Sequence, residues 1–592
     1  MYKHINNIYR SHTCSQIDSS QIDGSVKLAG FVRKKRDHGT ILFIDLVDAS
    51  GVVQCVISKT DDMQANHADV FAIANKVSHE SVISVEGKII KRSAETINKQ
   101  IGSGEVELII ENITVLSAAQ ELPFAIYQQD LSEELQLRYR FLYLRRKEMQ
   151  ETLALRTHVI DLLRRYMKEM NFLEIQTPIL ASSSPEGARD YVVPSRLHPG
   201  KFYALPQAPQ QFKQLLMASG VERYFQIAPC FRDEDARADR LVGEFYQLDF
   251  EMAFATQEDV FSVLEHVMYN VFHTIRPGYE IPKKFPRVPY KMAIEKYGSD
   301  KPDLRNPLEI FDITNEPTPN IFKQLVADGG KLLAISAPVG VQSSAFFDSL
   351  TQHMVHLGAK GLAYCVLKDK WTGPLANMLS EETRNKILHG KDGHDAIFLV
   401  ADKKNVAYKL AGQLRTQLGI KLNLIQENVF AFCLITDFPM FEWNEQKAGE
   451  NKWDFMHNPF SMPQNLDAPI EDILSYQYDI VCNGYELSSG AVRNYNLDVV
   501  RKVFEIIGDD CANLEERFPL YKSFRYGIPP HAGSAPGIDR IIMLLSDKTN
   551  VRDIVPFPLN QSGENLLMHA PSVIHDQLLK ELRLKVVEPV KA

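Results

Sequence analysis

The sequence predicts an α+β multidomain fold, and three observations predict it. Short strand-like runs separated by turn residues crowd the first 118 residues. β-rich segments return between Lys201 and Phe254 and again from about Phe430, each accompanied by helical stretches. Between them, residues from about 290 to 425 carry more Gly and Ala and alternate strand-like AIFLVADK with helical VAYKLAGQLRTQLG, the pattern of an inserted α/β domain. A length of 592 residues suits about four domains.

Composition bounds the function classes. With 45% hydrophobic and 24% charged residues, disorder is excluded as the dominant state. No apolar run approaches the ~20 residues of a membrane span, and MYKHINNIYRSH lacks the apolar core of a secretory signal. Seven scattered cysteines without a C-x-x-C pair argue against a disulfide framework and suit a reducing cytoplasm. The net charge of −9 excludes a basic coat for nucleic acid, though not a local basic patch.

Taken in order, the runs VKLAGFVRKKRD, TILFIDLVDASGVVQCVI, SVISVEGKIIKR and VELIIENITVL give four or five strands, enough for a small closed barrel of OB type. Lys27, Arg33, Lys34, Lys35 and Arg36 precede Phe43, and Lys88, Lys91 and Arg92 follow; cations beside an exposed ring suit single-stranded nucleic acid. On composition alone, Phe43 in the barrel core is the favoured reading. After a connector, Leu155, Val159, Leu162, Leu163, Tyr166 and Met170 form one apolar stripe of a helix over 151–170, ended by Asn171, with FLEIQTPIL as a strand stopped by Pro178.

EFYQLDFEM (244–252) has period two. Tyr246, Leu248, Phe250 and Met252 form a core face; Phe245, Gln247, Asp249 and Glu251 form a polar face suited to the floor of a ligand site. The preceding RYFQIAPCFRDEDARADR reads as a strand and a charged loop, placing Arg232 over the same sheet as a phosphate- or carboxylate-binding fork. Downstream, Asp479, Glu486 and Arg493 lie on or after strands, and Arg540 sits near the start of the helix PGIDRIIMLLSD. Gly533 and Gly537 would let backbone approach a ligand closely. Paired carboxylates beside arginines suggest a magnesium–nucleotide site. Neither G-x-x-x-x-G-K-[ST] nor a G-x-G-x-x-G after a strand occurs.

These blocks resemble motifs 1, 2 and 3 of the class II aminoacyl-tRNA synthetases. SPEGARDY, FYALPQAPQQFKQLLM, FMHNPFSMP and YDIVCNGYELSSGAVR narrow the resemblance to the bacterial-type aspartyl family (subclass b) over nearly the whole chain. The class I signatures HIGH and KMSKS are absent. The resemblance implies an OB-fold anticodon-binding domain at 1–112, a hinge at 113–138, an antiparallel catalytic core at 139–288 and 424–556 split by a GAD-like insertion at 289–423, and a C-terminal extension at 557–592. It implies a homodimer that activates L-aspartate with ATP and Mg²⁺ and charges tRNA-Asp.

By the same resemblance, Arg232 bridges the α-phosphate and the attacking carboxylate, Arg540 holds the γ-phosphate end, and Phe245 stacks the adenine. Glu234 and Gln247 complete the ATP contacts, and Asp479 and Glu486 hold the metal. Arg493, Lys213, Asp249, Glu186, Gln210 and His457 take aspartate, with Asn458 beside them, under a lid spanning Ala181–Ala188. Phe43, Arg36, Gln54 and Glu107 read the anticodon, which reverses the composition-based reading of Phe43. His38, in RDHG, resembles the branch that also charges tRNA-Asn. The departures are Leu241–Val242–Gly243, Ala532 and Ser534 in motif 3 (Ala532 predicting a small local shift), Ala208 and Phe31. The alternatives are strict charging of tRNA-Asp, an asparaginyl or lysyl relative, and a catalytically silent tRNA-binding paralogue. The insertion and PEGARDYVVPSR speak against the asparaginyl or lysyl relative, and the presence of Arg232, Asp249, Arg493 and Arg540 speaks against the silent paralogue.

Overall fold

The computed structural model describes residues 6–59, 65–183, 188–235, 241, 243–317, 319–447 and 449–587. The chain divides into two compact units, Met1–Leu131 and Ser132–Ala592.

In the first unit, β1 (Ser25–Asp37), β2 (Ile41–Val47), β3 (Val52–Ser58), β4 (Val82–Lys91) and β5 (Val106–Ser117) close a barrel in the order β1-β2-β3-β5-β4. Helix α1 (Ala65–Lys76), which the strand pattern did not predict, lies between β3 and β4. Alternation along β1 and β2 sends Val26, Leu28, Val32, Leu42, Ile44 and Leu46 into the core. An irregularity between Val32 and Lys34 shifts the register, after which Arg36 pairs opposite Phe43. The basic stretch is thereby dispersed: Lys27 pairs with Glu86, Arg33 with Glu80, and Lys35 Nζ donates to the carbonyls of Asn75 and Val77. Phe43 is half-buried on the outer face, not in the core.

The second unit is built on an eight-stranded sheet. Helix α2 (Lys147–Glu169) precedes β6 (Leu173–Glu174), a strand much shorter than FLEIQTPIL. Asn171, at φ 61, ends the helix in the left-handed region that Asn tolerates. Then follow α3 (Gln210–Ala218), β7 (Arg223–Arg232), β8 (Gly243–Ala253), α4 (Gln257–Ile275), β9 (Arg287–Pro289) and α5 (Tyr290–Tyr297).

An intervening layer holds β10 (Ile310–Asp312), β11 (Gly330–Ala337), α6 (Ser344–His356), β12 (Ala363–Leu367), β13 (Trp371–Thr372), β14 (Ala396–Lys403) and α7 (Lys404–Lys421). Its five strands run β10-β11-β14-β12-β13, and every pairing is antiparallel, so helix–strand alternation here does not produce the parallel sheet of an α/β unit.

The large sheet resumes with β15 (Phe432–Thr436), β16 (Gln477–Cys482), β17 (Tyr485–Val492) and β18 (His531–Ser534), followed by α8 (Ile538–Leu545). Its order is β9-β15-β16-β17-β18-β8-β7-β6. The six central strands pair antiparallel, and only the edge pairs β6–β7 and β9–β15 are parallel. Helices α2, α4 and α8 pack Val159, Leu162, Phe261, Phe272 and Ile541 against Leu248, Phe250 and Met252 on one face. The other face is free to build a site. No helix among the described residues is long and apolar enough to cross a membrane.

Candidate active site

β7 and β8 pair with Gly243 opposite Arg232, which fixes Arg232 at the mouth of the strand pair. Gly243 sits at φ +83, where a side chain is strained, and an added Cβ would also lie 3.1 Å from Leu559 Cδ1. Glycine in the departing Leu241–Val242–Gly243 segment is therefore a backbone requirement. Along β8 the period-two reading holds for Leu248, Phe250 and Met252, which are buried. Tyr246 departs from it: it is 37% exposed, with the Arg156 guanidinium over its ring at 5.8 Å.

One cleft of about 290 Å³ gathers Gln210, Lys213, Arg232, Phe245, Gln247, His457, Asn458, Glu486, Arg493 and Arg540, with Ala208 and Leu241 in its wall. Asp249 and Asp479 lie behind this lining, buried at 0% and 1% exposure. Glu234 is half-buried and does not line the cleft. Glu186 lies outside the described residues, as do Ser184 and Gly187 of the expected lid and Arg237, Asp239 and Arg240 of the charged loop.

At the inner end, four charges are buried together. Lys213 Nζ donates to Asp249 Oδ2 at 2.7 Å and lies 3.7 Å from Glu251 Oε2. Arg493 donates through Nε to Glu251 Oε1 at 2.9 Å and through Nη2 to Oε2 at 3.1 Å. Glu251 was not selected from the sequence, although the alternation of β8 places it on the face of Asp249. Glu251 already engages one bidentate edge of Arg493. Three of the five guanidinium N–H groups remain.

Burial raises the Asp249 carboxyl above its ordinary range, only partly opposed by Lys213. Glu251 feels the same burial, but Arg493 and Lys213 hold it below that range. Asp249 Oδ1 and Gln210 Nε2 are buried with no hydrogen-bond partner, two atoms suited to a polar ligand.

The floor is made by β17 and β18. An added Cβ at Gly533 would lie 2.1 Å from the Phe250 carbonyl oxygen and 2.3 Å from Glu251 Oε2. Gly533 thus makes room for the carboxylate that holds Arg493, not for backbone approaching a ligand. Gly537, by contrast, lines the cleft. Ala532 pairs with both Met252 and Val492 in unbroken register. Ser534 Oγ lies 2.6 Å from Ser488 Oγ, tying the two strands together.

At the outer end, the Arg232 guanidinium stands over the Phe245 ring at 5.0 Å, so a base stacked on Phe245 must use the opposite face or displace Arg232. Arg540 Nη1 donates to the Glu486 carbonyl at 2.6 Å. Ser489 Oγ donates to Asp479 Oδ1 (2.7 Å) and lies 3.1 Å from Glu486 Oε1, holding the two carboxyls side by side. Burial, then repulsion from Glu486, raises the Asp479 carboxyl far above its ordinary range. No group of three or more metal-ligating side chains occurs among the described residues. One or two carboxylates completed by phosphate oxygens is, however, the donor set Mg²⁺ takes with nucleotides, and a raised carboxyl beside a second carboxylate favours a cation.

On the barrel, Arg36 Nη2 donates to Asp45 Oδ1 (2.8 Å) and Gln54 Oε1 (3.0 Å), and Gln54 Nε2 donates to Glu107 Oε2 (2.8 Å). Asp45 is a member the sequence did not single out, and Arg92, one of the cations noted after Phe43, also donates to Gln54 Oε1 at 3.3 Å. The Arg36 guanidinium lies 5.8 Å from the Phe43 ring centre and the His38 ring meets Phe43 edge-on at 5.6 Å, so these expected residues form one outer patch.

The family model "tRNA synthetases class II (D, K and N)" matches residues 132–561, and an OB-fold nucleic acid binding domain matches 26–116. The chain is 49% identical to an aspartate–tRNA(Asp/Asn) ligase of Phenylobacterium zucineum over 99% of this chain and 100% of that one. It is 48% identical to a ligase of the same name from Ehrlichia chaffeensis, over 98% and 100%. In fold it matches an asparaginyl-tRNA synthetase from Pyrococcus horikoshii (TM-score 0.57, 18% identity, 93% of this chain and 98% of that one). It also matches an aspartyl-tRNA synthetase from Entamoeba histolytica (TM-score 0.57, 20% identity, 92% and 90%). With an OB-fold barrel, an antiparallel class II core and full-length relatives near half identity, the chain belongs to the bacterial-type aspartyl-tRNA synthetases of class II, subclass b.

Proposed function

We propose that this chain joins L-aspartate to ATP, releasing pyrophosphate, and passes the aspartyl group to the 3′-terminal ribose of tRNA-Asp and of tRNA-Asn. The observation that carries it is the buried Lys213–Asp249–Glu251–Arg493 cluster at the end of a cleft whose mouth holds Arg232 and Arg540. The cluster is neutral in itself, with two cations and two carboxylates. The three open donors of Arg493 take the β-carboxylate of aspartate, while unpartnered Asp249 Oδ1 takes its ammonium and Gln210 Nε2 its α-carboxylate. Asparagine would set an amide N–H against a guanidinium, leaving buried donors unpaired.

Arg232 bridges the α-phosphate and the attacking carboxylate, and Arg540 holds the far end of the triphosphate. Phe245 and Gln247 receive the adenine, while Glu234, His457 and, from outside the described residues, Glu186 complete the contacts. Asp479 and Glu486 would hold Mg²⁺, which neutralises triphosphate charge when bound. The chain's own contribution is alignment and fixed charge.

The barrel patch of Phe43, Arg36, Gln54 and Glu107 reads splayed anticodon bases, and His38, in contact with Phe43, relaxes the choice between tRNA-Asp and tRNA-Asn. Exposed Leu173, Ile179 and Leu180, soon after α2 in the chain, favour a homodimer. We assign 1–112 to the anticodon domain, 113–138 to the hinge, 139–288 and 424–556 to the core, 289–423 to a GAD-like insertion and 557–592 to an extension, in a cytoplasmic enzyme.

Amino-acid-dependent pyrophosphate exchange tests the reading: aspartate supports it, and asparagine and lysine do not. Exchange driven by either of the latter overturns the pocket assignment. Plateau aminoacylation then yields charged tRNA-Asp and tRNA-Asn; charging of tRNA-Asp alone removes the role given to His38.

A further inference from the structure

Lys301 has no part in the reading above, yet its ammonium stands beside Glu486. Nζ donates to Asp300 Oδ2 at 2.6 Å and lies 3.5 Å from Glu486 Oε2, the carboxylate that Ser489 holds beside Asp479. The segment carrying it follows α5 and is fastened to α7 of the intervening layer. Arg415, buried in α7, donates to the carbonyls of Asp303 (3.0 Å), Asn306 (2.6 Å) and Leu308 (2.6 Å), and Asn306 Nδ2 returns a bond to the Arg415 carbonyl at 2.9 Å. At the start of the segment, Gly298 meets Gly412 so closely that an added Cβ would lie 2.5 Å from its nitrogen. These contacts anchor the lysine backbone.

We infer that Lys301 is a positioning residue that supplies positive charge at Glu486 of the Asp479–Glu486 pair until a metal-bound nucleotide arrives, so that the segment fastened to α7 tunes the metal affinity of the catalytic cleft. The inference rests on the reading that this pair takes a divalent cation. A buried pair of carboxyls without a countercharge is costly, and Lys301 Nζ, 3.5 Å from Glu486 Oε2, with Arg540 Nη1, 4.0 Å from Oε1, supplies that charge. A dication held at Glu486 would lie close to the Lys301 ammonium, and the two would repel. Asp300 offers Nζ a second acceptor, so Lys301 can yield without losing its partner.

The test is Mn²⁺ binding to the nucleotide-free full-length chain near neutral pH, read from the electron paramagnetic resonance of free Mn²⁺. Lys301→Met binds Mn²⁺ more tightly, on the order of tenfold, whereas Lys301→Arg, which keeps the charge, stays near wild type. Asp479→Asn loses the site. Equal or weaker binding in Lys301→Met, with Asp479→Asn still deficient, overturns the inference while the metal reading stands; weaker ATP binding alongside would assign Lys301 to a phosphate instead. If Asp479→Asn binds like wild type, the metal reading falls and the inference with it.

Discussion

Glu251 holds Arg493 in place without itself lining the cleft. Its two oxygens fix the plane of the Arg493 guanidinium, and its negative charge keeps that arginine from being an uncompensated buried cation. Glu251→Gln keeps the size but removes the charge and one of the two acceptors. Aspartate-dependent pyrophosphate exchange should then fall at least about a hundredfold, by the scale of lost transition-state donors, with ATP binding nearly unchanged. A variant with wild-type exchange would show that Arg493 is oriented by something else. Arg493, Lys213 and Asp249 were named because the motif resemblance reaches them. Glu251 was less visible because an acidic residue on a strand is ordinarily solvated, and only the packing of α3 and β18 over β8 removes it from water.

Helix α4 illustrates how local chemistry sets an element. Thr256 precedes it with extended backbone, its hydroxyl accepts from the Asp259 N–H at 3.4 Å, and Asp259 Oδ2 accepts from the Thr256 N–H at 2.8 Å, a reciprocal cap. The Thr256 hydroxyl and N–H together pull the Asp259 carboxyl below its ordinary range. A lowered folded-state pKa gives stability that is present above the unfolded value, about 3.9, and lost as pH falls through the lower folded value. Thr256→Ala should therefore cost about 1 kcal/mol at neutral pH, and less below about pH 4, measured by denaturant unfolding. A penalty independent of pH would remove the carboxylate from the account. Elements of this kind could be read from sequence, as was the stripe of α2. Helix α1 was not, because its flanking polar residues hide a weak apolar face, and β6 was overestimated because a hydrophobic run before proline can be extended chain without a ladder partner.

At the scale of the molecule, two units with separate cores divide the work. The barrel has its own closed core of Leu28, Ile44, Val85 and Leu108. Nothing in the chemistry assigned to the cleft requires it. Phe43→Ala should weaken tRNA binding by about 1–3 kcal/mol if the ring stacks a base, while leaving pyrophosphate exchange intact; equal loss in both assays would refute this division. The intervening layer is the harder case. Its alternating helices and strands read as an inserted α/β domain, yet its described strands all pair antiparallel. Alternation along the chain does not fix which edges meet, because that depends on long-range contacts.

By itself, the sequence determined the family, the strands and helices whose apolar spacing is long and regular, and the residue types able to bind carboxylate, phosphate and bases. Those follow from side-chain chemistry and local periodicity. Only the tertiary structure decided that Glu251 occupies one edge of Arg493, that Arg232 covers a face of Phe245, that Gly533 clears space for a carboxylate, and that Lys301 reaches Glu486 from a segment nearly two hundred residues away in the chain. Each depends on which distant backbones approach within a few ångströms, and burial, not residue identity, then fixes how strongly their charges are felt.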